Sequence, residues 1–528
     1  MTLATLAAAR GMVTAPHHLA AQSGAAVLRD GGNAVEAMVA AAATIAVVYP
    51  HMNAIGGDGF WLIRRPGEAP VGIDACGRAA TLATQAAYRS KGLDAIPSRG
   101  PLAANTVAGA VSGWRAALQY GAGSLPLRRL LDDAIAHARH GVPVTRSQVD
   151  YTARFAAELA PQPGFAPAFL RDGAPPQAGS LQRFPALAET FERLAQRGLD
   201  DFYRGDIARA IAAELLRLGS PVGQGDLERH AATRVEPLCV DLSVGRAFNL
   251  PPPTQGVASL MILAIFDRLR EGVAAESFAH VHRLVEATKQ AFLLRNRHVC
   301  DPDCMRTPAQ ALLASDRLDA CAAAVDRSRA RAWPEPAAKG DTVWMGAVDA
   351  AGCMVSYIQS VYWEFGSGVV LQDTGITWQN RGASFSLDPA SHVALAPGRR
   401  PFHTLNPAFA RLRDGREMVY GTMGGDGQPQ TQAALFSRYA MFGEPLQQAV
   451  SAPRWLLGRT WGDMSVSLKV ERRMDAEVVQ ALRDAGHDVE TIAPYSDLVG
   501  HAGALVRHPD GVIMGAADPR SDGAVAAW

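Results

Sequence analysis

Between residues 279 and 296, "AHVHRLVEATKQAFLLRN", apolar and small side chains return every three or four positions. Val281, Leu284, Val285, Thr288 and Phe292 then share one face, which predicts an amphipathic helix. His280 and His282 near its start are two residues apart and do not share a face. They read as polar surface or interface residues rather than a metal pair. The same period runs through 20–48, broken at "RDGGN". Its most apolar part, "VEAMVAAAATIAVVYP", is Ala-rich, carries Glu36 and ends at Pro50, so it reads as a buried helix and not a membrane span. The first half is thus expected to be mostly helical. "PQPGFAPAF" and "GAPPQAGS" read as irregular loops, and the prolines of "NLPPPTQG", Asn249 to Gly256, exclude helix and central strand there.

The second half changes character. "VWMGAVD", "MVSYIQSVY", "HVALA", "EMVYGTM", "MSVSLKV" and "GALVRHPDGVIMGA" are short runs separated by Gly, Asp and Pro, and "HPDG" is a hairpin turn. "PQTQAALFSRYAMFG" and "MDAEVVQALRDAGH" read as helices, the latter ending at Gly486. Strand pairs with helices grouped around them predict a layered α+β sandwich. No fixed-period repeat is present.

At 528 residues and 48% hydrophobic, the chain has enough apolar surface for a large core. Lys plus Arg and Asp plus Glu are 51 each, so no excess charge points to nucleic acid or an anionic membrane. The N-terminus has no basic residue ahead of its apolar part and is a poor secretory signal. Six cysteines are few for this length and fit a reducing compartment, so a cytoplasmic location is expected. Cys300 and Cys304 in "CDPDC" lack a second ligand pair at zinc spacing. No metal or cofactor is expected, and no dinucleotide fingerprint is present.

Two stretches carry chemistry. Asp341-Thr342 joins a linker-like segment, "RSRARAWPEPA", to a predicted strand. A threonine hydroxyl needs a base, and its own α-amine, with a pKa near 8, serves only after the preceding peptide bond is cut. The same hydroxyl can make that cut by attacking the carbonyl of residue 341. On these residues alone, an ordinary turn into a strand remains the competing explanation. Gly424 and Gly425 in "YGTMGGDGQPQTQ" stand between a strand and a helix, where adjacent amides can converge on an oxyanion. A plain tight turn is the alternative.

Taken in order, "GMVTAPHHLAAQSGAAVLRDGGNAVEAMVAAA", "YPHMNAIGGDGFWLI", "NTVAGAVSGW", "LPPPTQG", "AFLLRNRHVCDPD", "GDTVWMGAVDAAGCMVSY", "APGRRPF", "GTMGGDGQPQ" and "GAADPRSDGAV" resemble the γ-glutamyltransferase family of N-terminal-nucleophile hydrolases, almost end to end. The resemblance implies a four-layer αββα sandwich and a self-cleaved proenzyme. A large fragment, 1–341, would include a removable linker at about 322–341, and a small fragment, 342–528, would begin with the nucleophile Thr342. It further implies that Ser360 supports the nucleophile's hydroxyl and that Gly424 and Gly425 form the oxyanion hole. The two fragments would stay together, and pairs of such heterodimers are plausible.

The residues that clamp a γ-glutamyl group in that family are changed here. Cys76 stands where the family has its carboxylate-binding Arg, with Arg78 two residues on. Ser384 replaces an acid that holds the α-amine, His403 and Thr404 replace paired serines, and Tyr362 replaces an Asn. Without the acid an α-ammonium has no counter-charge, and a buried unpaired ammonium costs several kcal/mol. Tyr362, Phe402 and His403 are bulkier than the residues they replace and narrow the pocket, which argues against the large acyl groups of cephalosporin-type acylases. Arg78 and His403 are candidates to hold a carboxylate. The pattern is similar to the family's oxamate amidohydrolase branch, of purine degradation. A small amide bearing a carboxylate is the expected substrate, oxamate first, giving oxalate and ammonia. The alternatives are a true γ-glutamyltransferase or glutathione hydrolase, and an uncut, non-catalytic scaffold.

Overall fold

The computed structural model describes residues 3–333, 341–458 and 465–528. Two seven-stranded antiparallel sheets lie face to face. The first runs Ala524–Ala527, Gly11–Ala15, Asp341–Asp349, Met354–Tyr362, Asp58–Arg64, Val71–Ala75, Thr233–Val235. The second runs Leu6–Ala8, Ile513–Ala517, Gly503–Arg507, Glu417–Gly421, Ala408–Leu412, Gly245–Asn249, Leu238–Leu242. Between them is an apolar layer that includes Met12, Phe60, Leu62, Trp344, Ile358, Phe409 and Leu505.

Helices His18–Arg29, Ala34–Val48 and Ala110–Gly121 cover the outer face of the first sheet. Helices Gly256–Leu269 and Gly427–Phe436 cover the second. Each sheet is thus buried on both faces, which gives four layers and three apolar seams. Ala34–Val48 is buried at every position and is capped by Asn33 and Glu36 in a reciprocal capping box. Its all-round burial explains why its sequence has no polar stripe.

Several expectations need correction. The first half contains five strands of the two large sheets with five or more residues, among them Gly11–Ala15, which lies inside the block resembling opening helices. All five of its residues are buried, so it lacks the alternation that marks a half-exposed strand. "HVALA" forms no strand: it contributes one isolated bridge, Ser386 to Ala394, in a loop bounded by Pro389 and Pro397. His280 and His282 are fully buried rather than at the surface. Helix Phe278–His298 is enclosed on several sides: His280 Nε2 is 2.9 Å from Ser437 Oγ, and His282 Nδ1 is 2.8 Å from His487 Nε2.

The join at 341/342 falls within the first sheet. Strand Met354–Tyr362 pairs with Asp341–Asp349 on one side and with Asp58–Arg64 on the other. Residues 1–341 and 342–528 are therefore interleaved parts of one folded unit, not separately folded domains. Part of the expected linker, 334–340, lies outside the described residues. Its earlier part is tied to the body: Ala330 N donates to Ala485 O and Lys289 Nζ to Arg331 O. Among the described residues no helix is long and apolar enough to cross a membrane.

Candidate active site

Strand Asp341–Asp349 is bulged at its start. Asp341 pairs with Tyr362 and Val343 with Gln359, so Thr342 alone faces two residues, Ser360 and Val361. Bulges re-aim side chains and are frequent beside active sites. Thr342 is fully buried in the continuous chain, and its Oγ1 accepts from Gln428 Nε2 at 3.3 Å. Ser360 Oγ accepts from Tyr362 N at 2.8 Å. Gly57 passes so close to this strand that a Cβ there would lie 2.1 Å from the Ser360 carbonyl oxygen. Tyr362 has φ +83°, a strained backbone for a bulky residue.

Gln428 belongs to the first turn of helix Gly427–Phe436, and the turn before it holds Gly424 (φ +114°) and Gly425 (φ +54°). Their carbonyls accept from Gly427 N and Gln428 N. Neither of their own amides has an acceptor among the described residues, so both remain available to an oxyanion. Space is not what demands glycine at 424, since the nearest atom to an added Cβ is 3.5 Å away. The positive φ is. Gly424→Ala is expected to fold but to lower kcat by about a hundredfold or more through a displaced amide, with KM little changed, as read by steady-state kinetics.

A buried polar network holds this turn in place. Arg295 Nη1 and Nη2 donate to the two Asp426 oxygens at 2.8 and 3.0 Å, and Nη1 also donates to Gln255 Oε1. Gln255 Nε2 in turn donates to the carbonyls of Gly425 and Thr404. Asn406 Nδ2 donates to Gln428 Oε1, which fixes the amide facing Thr342. Arg295 and Asp426 are both almost wholly buried. Arg295→Met should cost about 3–5 kcal/mol by stranding the Asp426 carboxylate, measurable as a lower denaturation midpoint.

On the other side of Tyr362 lies a group that sequence reasoning missed. Arg381 is fully buried, and its guanidinium carbon stands 3.8 Å from the centre of the Tyr362 ring. Nη1 reaches Thr404 Oγ1 at 3.5 Å, while Nε and Nη2 have no partner among the described residues. Burial lowers its pKa to about 10, so it stays charged at neutral pH.

Beside it, His403 Nε2 is 2.9 Å from Asp58 Oδ2, and Phe60 meets the imidazole edge-on. Asp58 Oδ1 accepts from Gly77 N, Gly109 N and Gln379 Nε2. Burial raises the Asp58 pKa to about 6 despite those donors, and burial followed by the Arg381 charge holds His403 well below its ordinary value. At neutral pH His403 is therefore neutral, with Nε2–H donating to an ionised Asp58. That leaves Nδ1 as an acceptor without a donor among the described residues.

The other expected substrate residues divide. Thr404 belongs to this cluster. Ser384 is half-buried and donates to Phe402 O, tying the turn Arg381–Ser384 to the His403 loop. Cys76 is buried near Asp58 and Arg381. Arg78 is elsewhere: its side chain is 43% exposed, donates to Gly398 O and lies 3.5 Å from Asp303. The guanidinium of this cluster is that of Arg381. In sequence Asp58 had one signal, an acid enclosed by glycines in "GGDGF", whereas Arg381 in "NRGAS" has the look of a surface turn.

A family model described as gamma-glutamyltranspeptidase matches residues 20–528. The chain belongs to that family. It is 56% identical over 522 residues to the oxamate amidohydrolase proenzyme of Klebsiella pneumoniae, covering 98% of each chain. It is 39% identical over 520 residues to the glutathione hydrolase-like YwrD proenzyme of Bacillus subtilis, covering 97% of each. Among solved structures, the cephalosporin acylase of Bacillus halodurans aligns with a TM-score of 0.91 at 33% identity, over 100% of this chain and 97% of that one. The four-layer N-terminal-nucleophile hydrolase fold expected from the sequence is the fold of this gamma-glutamyltranspeptidase family member.

Proposed function

We propose that this chain is a self-cleaving amidohydrolase that uses Thr342 to hydrolyse oxamate to oxalate and ammonia. Thr342 Oγ attacks the carbonyl carbon of residue 341, the peptide C–N bond breaks, and the acyl group passes to oxygen as an ester. Water hydrolyses the ester, leaving a carboxylate on residue 341 and a free α-amine on Thr342. In turnover that amine takes the hydroxyl proton as Oγ attacks the substrate amide. The Gly424 and Gly425 amides receive the tetrahedral oxyanion. Its collapse releases ammonia, which carries off the proton, and a second water cleaves the acyl ester to give oxalate. In this reading 1–341 and 342–528 are the two fragments of the mature protein.

One observation carries the choice of substrate: a buried guanidinium with two nitrogens unpartnered among the described residues, next to the residue that pairs with Asp341 across the sheet. A carboxylate on the substrate would supply the missing acceptors in a short, charge-assisted contact. An α-ammonium would face that same positive charge. The nearby Asp58 carboxylate is already engaged by four donors, so a γ-glutamyl group is disfavoured. The neutral His403 Nδ1 is an acceptor suited to a substrate N–H. The 56% identity to an oxamate amidohydrolase proenzyme supports the same reading.

Ammonia release from oxamate and glutamine, run beside release from a γ-glutamyl anilide, tests it. Oxamate should exceed both others by at least about a hundredfold in kcat/KM. Strong anilide turnover stimulated by amino acids would replace this reading with γ-glutamyl transfer.

A further inference from the structure

Away from Thr342, a cavity of about 660 Å³ opens between the end of helix Phe278–His298 and the loop 389–399. Arg297, Arg306 and Arg399 line it together with His298 and His392, and among the described residues no carboxylate does. Arg297 and Arg306 are exposed and form no ion pair or side-chain hydrogen bond among the described residues. The nearby acids are engaged elsewhere. Asp301 accepts from Asp303 N and Arg400 N, Asp303 faces Arg78 and Arg400, and Asp388 accepts from Ala390 N. Burial first, and then the charges of Arg297 and Arg317 and the neighbouring His392, lower the His298 imidazole pKa.

On a chain whose Lys plus Arg and Asp plus Glu are equal in number, a concave site lined among the described residues by one sign of charge is not explained by general basicity. Guanidinium forks spaced around a cavity match the oxygens of phosphate and carboxylate groups. We propose that this cavity is a second anion site, separate from the candidate active site, for a small oxyanion carrying several negative charges, either phosphate-bearing or a polycarboxylate. The loop forming one wall runs on through Arg399 and Arg400 to His403 and Thr404, so an occupant would tie that loop to the end of the helix.

The test is calorimetric titration of the purified full chain with inorganic pyrophosphate and, separately, citrate, at low salt. Wild-type protein should bind one equivalent saturably. An Arg297→Ala/Arg306→Ala double variant should lose at least about tenfold in affinity, whereas Arg381→Gln should bind as wild type does. Because Arg297 and Arg306 are exposed and unpaired, their removal should leave the melting temperature unchanged. Tighter binding of pyrophosphate assigns a phosphate-bearing ligand, and tighter binding of citrate a polycarboxylate. Absence of saturable binding of both anions would overturn the proposal. So would binding that survives the double variant but is lost in Arg381→Gln, since that places the anion in the active site. The titration involves no turnover, so its failure is distinct from failure of the oxamate assignment.

Discussion

A Thr342→Ala chain is expected to remain a single polypeptide and to release no ammonia from oxamate, with turnover down by at least about a thousandfold. The two losses have one cause. In the proposed mechanism the hydroxyl that forms the ester at residue 341 is also the one that attacks the substrate, and the base that would activate it in turnover exists only once the peptide bond to residue 341 is gone. Denaturing electrophoresis over several days, paired with an ammonia assay, reads both. Thr342→Ser should cut itself, more slowly than wild type, and retain measurable activity, because it keeps the hydroxyl and the future amine. An alanine chain that still divides at 341/342 would remove Thr342 from the mechanism. A folded, uncut and fully active alanine chain would remove the need for scission.

The second large effect is expected at Arg381. Replacing it with Gln should lower kcat/KM for oxamate by about a hundredfold or more, mostly through KM, because the substrate carboxylate loses a charge-assisted partner in a dry site. Self-cleavage should proceed normally, since nothing in that step needs a carboxylate held. The preference for oxamate over the neutral diamide oxamide should shrink by a similar factor. Stability should respond in the opposite sense from an ordinary buried cation. Arg381 is buried with two nitrogens, Nε and Nη2, lacking a partner among the described residues, so Arg381→Met should leave the melting temperature unchanged or raise it. A large drop in melting temperature with unchanged KM would make Arg381 a structural residue and return the carboxylate to another site.

Much of this architecture was legible because it is written in local chemistry. The helix over 279–296, the hairpin at "HPDG" and the two strands that follow the 341/342 join can be read from periodicity and turn residues that any fold must obey. The strands of the first half escaped for a physical reason. Gly11–Ala15 is buried at every position between a helical layer and a second sheet, and a strand covered on both faces has no polar alternation to betray it. His280 and His282 misled because each finds a partner, Ser437 and His487, from distant parts of the chain, and such pairing leaves no trace in helical spacing.

The site shows the same division. Thr342, Gly424 and Gly425 could be singled out because the chemistry proposed for them depends on backbone position: a bond to be cut at 341/342 and two glycine amides at positive φ. Arg381 could not, because its burial and its two nitrogens without a partner among the described residues are properties of the folded surroundings. Arg78 looked the better candidate by its place near the family motif, yet it is partly exposed and paired with Asp303.

The proposed mechanism requires that the working protein be a cut chain. Intact-mass spectrometry of the active, purified protein, followed by N-terminal sequencing of its smaller component, addresses this directly. Two masses are expected, with the smaller component reading Thr-Val-Trp-Met-Gly from Thr342. A single full-length mass in a preparation that turns over amide substrate would contradict it.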